Sequence, residues 1–197
     1  NLDAAAQAEG LSTYDLMLRL AAESDIGAGA TMFLPTMAGG SSLDVSQNVR
    51  GAFVNLDLGN SQSDLIRATM EGVAMSLQLA LKALQRITDI SGEMIAVGGG
   101  ARSDFWMQIY ADLYNKDMVR TNIGQQAAAL GAAAIALVGA GLWADFSKID
   151  EIHEVQDVKK PIPANQERYA ILTPIFEKLS RNQAQIGDMF AAIEQSK

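Results

Sequence analysis

The sequence contains no cysteine. That removes disulfide frameworks, thiolate metal sites and cysteine nucleophiles, and it fits a reducing compartment. Histidine is almost as scarce: any Ser-His-Asp arrangement or histidine metal site would rest on His153 alone. Basic residues are outnumbered, with 15 Lys and Arg against 23 Asp and Glu, a net charge of −8. A nucleic-acid coat needs a basic face to displace counterions from phosphates, so that class is excluded. A small anionic ligand is not, because backbone N–H groups at one helix end bind an anion whatever the global charge. Long apolar runs are missing too. Residues 127–143 form the longest candidate, about 17 residues, the lower limit for spanning a bilayer. Their apolarity comes largely from Ala and Gly, and a buried helix is expected there rather than a membrane span. No basic segment precedes an apolar run at the start, so nothing reads as a signal peptide. The chain starts at Asn1 without Met and reads as a piece of a longer protein, expected in the cytoplasm.

What is present is a globular composition, 49% hydrophobic and 19% charged over 197 residues. The length suits one domain or at most two small ones; a single domain over 1–197 is expected. Residues 13–23 carry apolar side chains at helical spacing, with Ser12 or Thr13 as N-cap. Met32-Phe33-Leu34 reads as a short strand stopped by Pro35, and 38–48 as a polar Gly/Ser loop. A strand is predicted over 51–58, a long helix over 64–88, and a central strand over 94–97. A helix from Ser103 or Asp104 to Asn115, a strand over 118–121 and the Ala/Gly helix follow. Residues 146–165 read as a polar arm, and 166–190 as a last amphipathic helix. Strands alternate with helices, so the class is α/β, with a mixed sheet flanked by helices.

The local pattern richest in chemistry is Ile95-Ala96-Val97-Gly98-Gly99-Gly100-Ala101-Arg102-Ser103-Asp104. An apolar strand runs into three glycines and then into a helix. Glycines there permit unusual dihedrals and remove side chains that would hold a ligand off the backbone. The first N–H groups of the helix then face that ligand. A nucleotide phosphate or ribose is the natural guest; a tight strand-to-helix corner without a ligand is the alternative. A dinucleotide fingerprint is not met, because Ser103 stands at its third glycine and 118–126 contain no acidic residue. Arg102 could reach a phosphate or form a surface ion pair. Trp106 and Trp143 read as core, and His153 as solvated.

Residues 98–112 (GGGARSDFWMQIYAD) resemble the C-terminal-domain motif of the FGGY carbohydrate kinases, particularly the xylulokinase-like and gluconokinase-like members. Residues 51–71 resemble the family's second signature, with Leu56, a spacer of seven, and Asp64-Leu65-Ile66-Arg67-Ala68-Thr69-Met70-Glu71. Residues 127–133 (AAALGAA) resemble its Ala-Leu-Gly-Ala-Ala helix. The resemblance implies a ribonuclease-H-like fold of the actin and hexokinase type. It implies the nucleotide-binding C-terminal half of a two-domain sugar kinase that transfers the ATP γ-phosphate to a sugar hydroxyl. Gly99, Gly100 and Ala101 would line the nucleotide, and Ser103 or Asp104 would stand near the adenosine. The catalytic aspartate and the Mg²⁺ ligands are expected outside these residues, so the chain alone should not phosphorylate a sugar. The implied partner is a sugar or polyol held with the N-terminal domain; a homodimer is left open, and no nucleic acid or membrane is expected.

The chain departs from the family pattern at three places. Asn55 stands where the second signature has Gly, and Gln126 where relatives usually carry Glu. Gly39-Gly40-Ser41-Ser42-Leu43 replaces a Gly-Glu-Arg-Thr-Pro stretch, so a mobile loop and a substrate other than D-xylulose are expected. A non-catalytic kinase-like sensor or assembly module is the alternative function. Asp25-Ile26-Gly27 and Asp57-Leu58-Gly59 mimic an Asp-x-Gly phosphate hairpin, but both read as ordinary loops.

Overall fold

The computed structural model describes residues 1–124 and 126–195. In chain order the elements are α1 (Leu2–Ala8), α2 (Thr13–Glu23), β1 (Met32–Leu34), β2 (Ala52–Val54), α3 (Gln62–Leu84) and β3 (Glu93–Ala96). They continue with α4 (Asp104–Tyr114), β4 (Asp117–Thr121), α5 (Ala127–Gly139), α6 (Lys148–Ile152), β5 (Val155–Lys159) and α7 (Pro163–Gln195). The chain divides into two compact units: Asn1–Ile90 with Ile162–Lys197, and Ser91–Pro161.

The first unit is organised around α3. Ser61 Oγ accepts from the Asp64 N–H while the Asp64 carboxylate accepts from the Ser61 N–H, a reciprocal cap that starts the helix. Ile66, Met70 and Ala74 recur at four-residue spacing and are buried, as are Arg67, Glu71 and Met75 one position on. The helix therefore buries a broad stripe, and it packs on α2, β1 and α7. β1 and β2 pair antiparallel, with Phe33 opposite Phe53 and their rings 4.7 Å apart. The predicted strand over 51–58 is cut to Ala52–Val54 because Asn55 turns left-handed, at φ +63°. That conformation explains the departure at Asn55. After glycine, asparagine is among the residues that tolerate it best, and its Nδ2 donates to the Ala30 carbonyl at 3.1 Å.

Hydrogen bonds join the loop over 38–48 to its own backbone and to α7. The Gly40 N–H donates to the Gln47 carbonyl, Ser46 and Asn48 donate to Asp188 of α7, and Val49 beyond it is fully buried. Both Asp-x-Gly segments are ordinary loops. The Gly27 N–H donates to Glu71, and the Gly59 N–H closes a turn on the Asp57 carboxylate.

The second unit holds a mixed three-stranded sheet in the order β3-β4-β5. β3 and β4 run parallel through a crossover helix, α4; β4 and β5 run antiparallel. Three expectations change here. The segment 146–165, read as a polar arm, contains α6 and β5. Its polarity hid the strand because β5 buries little and spends its side chains on ion pairs. The run 94–97, read as central, lies at an edge of this sheet, leaving Ile95 54% and Val97 52% exposed. The Ala/Gly helix, expected buried, ends at Gly139 and buries only Ala134. A helix of small side chains has little apolar area to drive its burial. No described helix is long and apolar enough to cross a membrane.

Candidate nucleotide site

β3 and β4 both end at one side of the sheet, where parallel strands commonly build ligand clefts. A cleft of about 260 Å³ opens there. Its walls come from Ala96, Gly98, Ala101 and Arg102 after β3, from Arg120, Thr121, Asn122, Gly124 and Gln126 around and after β4, and from Gln156 of β5. Two arginines and no acidic residue line it, although the whole chain carries −8. Arg102, without an ion pair among the described residues, gives the cleft one uncompensated positive charge, which suits an anion.

The glycine turn is built as its sequence requires. Gly98 adopts φ +84°, the left-handed region that a side chain would strain. Gly99 is exposed, has ordinary helical dihedrals, and a Cβ added there would meet open space. Residues Gly100–Arg102 make one 3-10 turn. Ser103 then caps α4, its Oγ accepting from the Trp106 N–H at 3.2 Å. Among the described residues, the N–H groups of Gly98, Gly99, Gly100 and Ala101 find no protein acceptor. Those of Arg102 and Ser103 bond back to the Gly99 and Gly100 carbonyls. Successive unpaired N–H groups on a concave turn are a ready anion site.

The residues named from sequence fall in different places around this cleft. Ala101 lines it, as does Gly98, which the sequence reading did not assign to the site. Gly99 and Gly100 belong to the turn, but a Cβ on Gly100 would lie 3.4 Å from the Tyr110 hydroxyl, facing α4. Ser103 is buried in its cap. Asp104 is drawn into an ion network: Arg120 Nη2 donates to its Oδ1 at 2.8 Å, and Lys159 Nζ lies 3.2 Å from its Oδ2. Arg102 lines the cleft and makes no ion pair among the described residues. Sequence reasoning missed Arg120, Thr121, Asn122, Gly124 and Gln156. The strand over 118–121 was visible, and its end would have flagged Arg120 and Thr121; nothing flagged Gln156.

The Arg120 guanidinium, then Lys159, holds the Asp104 carboxyl below the ordinary aspartate value of 3.8. A depressed folded value means the network favours the folded state above pH 3.8. That contribution is lost as pH falls through the lower, folded value. Carbon-detected NMR should place the Asp104 midpoint below 3.8, and Arg120→Gln should raise it. An unshifted midpoint in the native protein would mean the network does not hold in solution.

The second unit thus brings a glycine turn and an open cleft together at the ends of parallel strands. The chain belongs to the FGGY family of carbohydrate kinases, as its C-terminal domain, and residues 1–140 carry the match. It is 29% identical over 175 residues to a xylulose kinase of Staphylococcus epidermidis, covering 88% of this chain and 35% of that protein. It is 31% identical over 173 residues to a gluconokinase of Bacillus subtilis, covering 87% and 34%. The crystal structure of a ligand-bound xylulose kinase from Lactobacillus acidophilus superimposes with a TM-score of 0.80 at 27% identity, over 96% of this chain and 39% of that one. The fold is thus the α/β fold of the actin and hexokinase-type ATPases. The chain spans about a third of the length of the curated relatives it matches.

Proposed function

We propose that residues 1–197 form the nucleotide-binding C-terminal half of an ATP-dependent sugar kinase of the xylulokinase and gluconokinase type. The observation that carries this reading is the run of unpaired N–H groups from Gly98 to Ala101 on a turn lining the cleft. These residues fit a phosphate-bearing ligand: the turn offers donors, Gly99 leaves open space, and Arg102 is a cation without an ion-pair partner among the described residues. ATP would supply the phosphoryl group for transfer. Gly98 to Ala101 bind and orient it, Arg102 adds charge, and Asn122, Gln126 and Gln156 offer polar groups to its remaining atoms. Among the described residues no group of His, Asp and Glu converges to hold a metal. In this reading Mg²⁺ enters with the phosphates, and its protein ligands, like the catalytic base, are expected in the rest of a family-length protein. The sugar or polyol is likewise held with that remainder.

The cleanest test is Gly99→Val. The position has ordinary dihedrals and a Cβ there meets nothing, so the fold should be kept. A branched side chain on the turn should nonetheless weaken ADP binding, by about 10- to 150-fold if it displaces one charge-assisted hydrogen bond of roughly 1.5–3 kcal/mol. NMR titration of the chain with ADP reads this directly. Equal ADP affinity in native and variant protein would remove the glycine turn from the site. The substrate follows from assaying a family-length protein with ATP against ketoses, aldonates and polyols.

A further inference from the structure

The family's domain match spans residues 1–140, yet β5, at Val155–Lys159, supplies side chains that reach the glycine turn through Arg120. We propose that Arg120, anchored by Asp157 and Lys159, is a positioning residue of the nucleotide site, making β5 a working part of it. This rests on the nucleotide reading above.

The geometry is specific. Arg120 Nη1 donates to the Ala101 carbonyl at 3.2 Å and, at 3.5 Å, reaches the Arg102 carbonyl. Its Nη2 donates to Asp104 Oδ1 and to Asp157 Oδ2, each at 2.8 Å. Lys159 Nζ closes the ring, 3.0 Å from Asp157 Oδ2 and 3.2 Å from Asp104 Oδ2. One guanidinium thus joins β4, β5, the turn and the start of α4. Only a planar fork with several donors can do this; a lysine presents a point charge.

Two cations are balanced by two carboxylates, so Arg120 has no spare charge for a phosphate. Arg102 has, because it lines the same cleft without an ion pair. Arg120 acts instead on the turn's polarity. By occupying the Ala101 and Arg102 carbonyls, it leaves the turn presenting N–H groups rather than oxygens to an anion. Preorganised donors bind more tightly than donors that must be reoriented on binding.

The strand pairing adds a second effect. Arg120 faces Asp157 and Thr121 faces Val155, so the register slips and Gln156 is left over. Bulges commonly sit beside functional sites and re-aim a side chain, and Gln156 is the β5 residue that lines the cleft.

The test compares native chain, Arg120→Ala, Arg120→Lys and Asp157→Asn. It measures ADP affinity, the ADP-induced amide shifts of Gly99, Gly100 and Ala101, and the melting temperature. Loss of outer positioning partners typically costs about 10–100-fold in affinity at metal sites, and about tenfold is expected here for Arg120→Ala. Arg120→Lys should recover only part of it, and Asp157→Asn should lose less than Arg120→Ala. The amide shifts should shrink with affinity even in variants that melt like the native chain, which a merely structural role would not produce. If Arg120→Ala fails to fold, Arg120→Lys and Asp157→Asn carry the comparison. Folded variants that bind ADP like the native chain overturn the positioning role and leave the nucleotide reading standing. No ADP binding by the native chain overturns both.

Discussion

Glu71→Ala is expected to destabilise the first unit by about 3–5 kcal/mol, the usual cost of leaving one member of a buried ion pair alone. Glu71 is 3% exposed and sits among donors. Arg67 Nε donates to it at 2.7 Å, the Tyr169 hydroxyl at 3.0 Å and the Gly27 N–H at 3.1 Å. Burial holds the carboxyl above its ordinary value, with Arg67, Tyr169 and Gly27 pulling against it. Removing it strands the buried Arg67 guanidinium and removes the acceptor shared by three segments: the loop at Gly27, α3, and α7 at Tyr169. Arg67 also donates to the Ser24 carbonyl, so the cluster fastens the end of α2 as well. Urea denaturation followed by circular dichroism measures the effect. A loss below about 1 kcal/mol, the value of an exposed pair, would show that the cluster does not hold these segments together.

Gly72→Ala should also destabilise, against the trend of helix propensity. In an exposed helix interior, Gly to Ala gains about 1 kcal/mol. Here the new Cβ would lie 2.0 Å from the Phe33 carbonyl oxygen and 2.9 Å from its carbon. That carbonyl belongs to β1, held in register with β2, and cannot swing aside like a side chain. Overpacking of this kind costs roughly 1–3 kcal/mol, occasionally more, and a backbone neighbour places it at the upper end. A net loss of about 2 kcal/mol is expected from chemical denaturation. Stabilisation by the substitution would mean that β1 does not pack this closely on α3. Gly187 of α7 repeats the arrangement against the Asn48 carbonyl, so two helices of this unit use glycine to approach backbone.

The candidate site was legible where chemistry is local. Three glycines after an apolar strand and before a serine cap point to the proposed anion site, because both the φ freedom and the cap depend on adjacent residues. The structure places Gly98, not Gly100, in the left-handed conformation, a distinction that identical residue types cannot express. Gln156 was invisible as a candidate site residue, and Arg120 could be flagged only as a strand end, not by its partners. Their roles depend on β4 pairing with β5 and on a register slip, and pairing partners are not written in either strand alone.

The sequence by itself determined α2, α3, α4 and α7, because apolar period and capping residues act within a few positions along the chain, and α5 through its Ala/Gly run, whereas α6 lay hidden in the polar stretch. It also determined the family, through three motifs in order, and the absence of thiol chemistry. Tertiary structure alone decided that the polar stretch after residue 140 contributes a strand, since β5 is stabilised by ladder bonds and ion pairs rather than by burial. It alone decided that Asp104 pairs with Arg120 and Lys159 instead of standing free at the cleft. It alone brought Glu71 and Tyr169, 98 positions apart in the chain, into one buried cluster. Long-range pairing is set by which surfaces meet after the chain has folded, and no local pattern of residues records it.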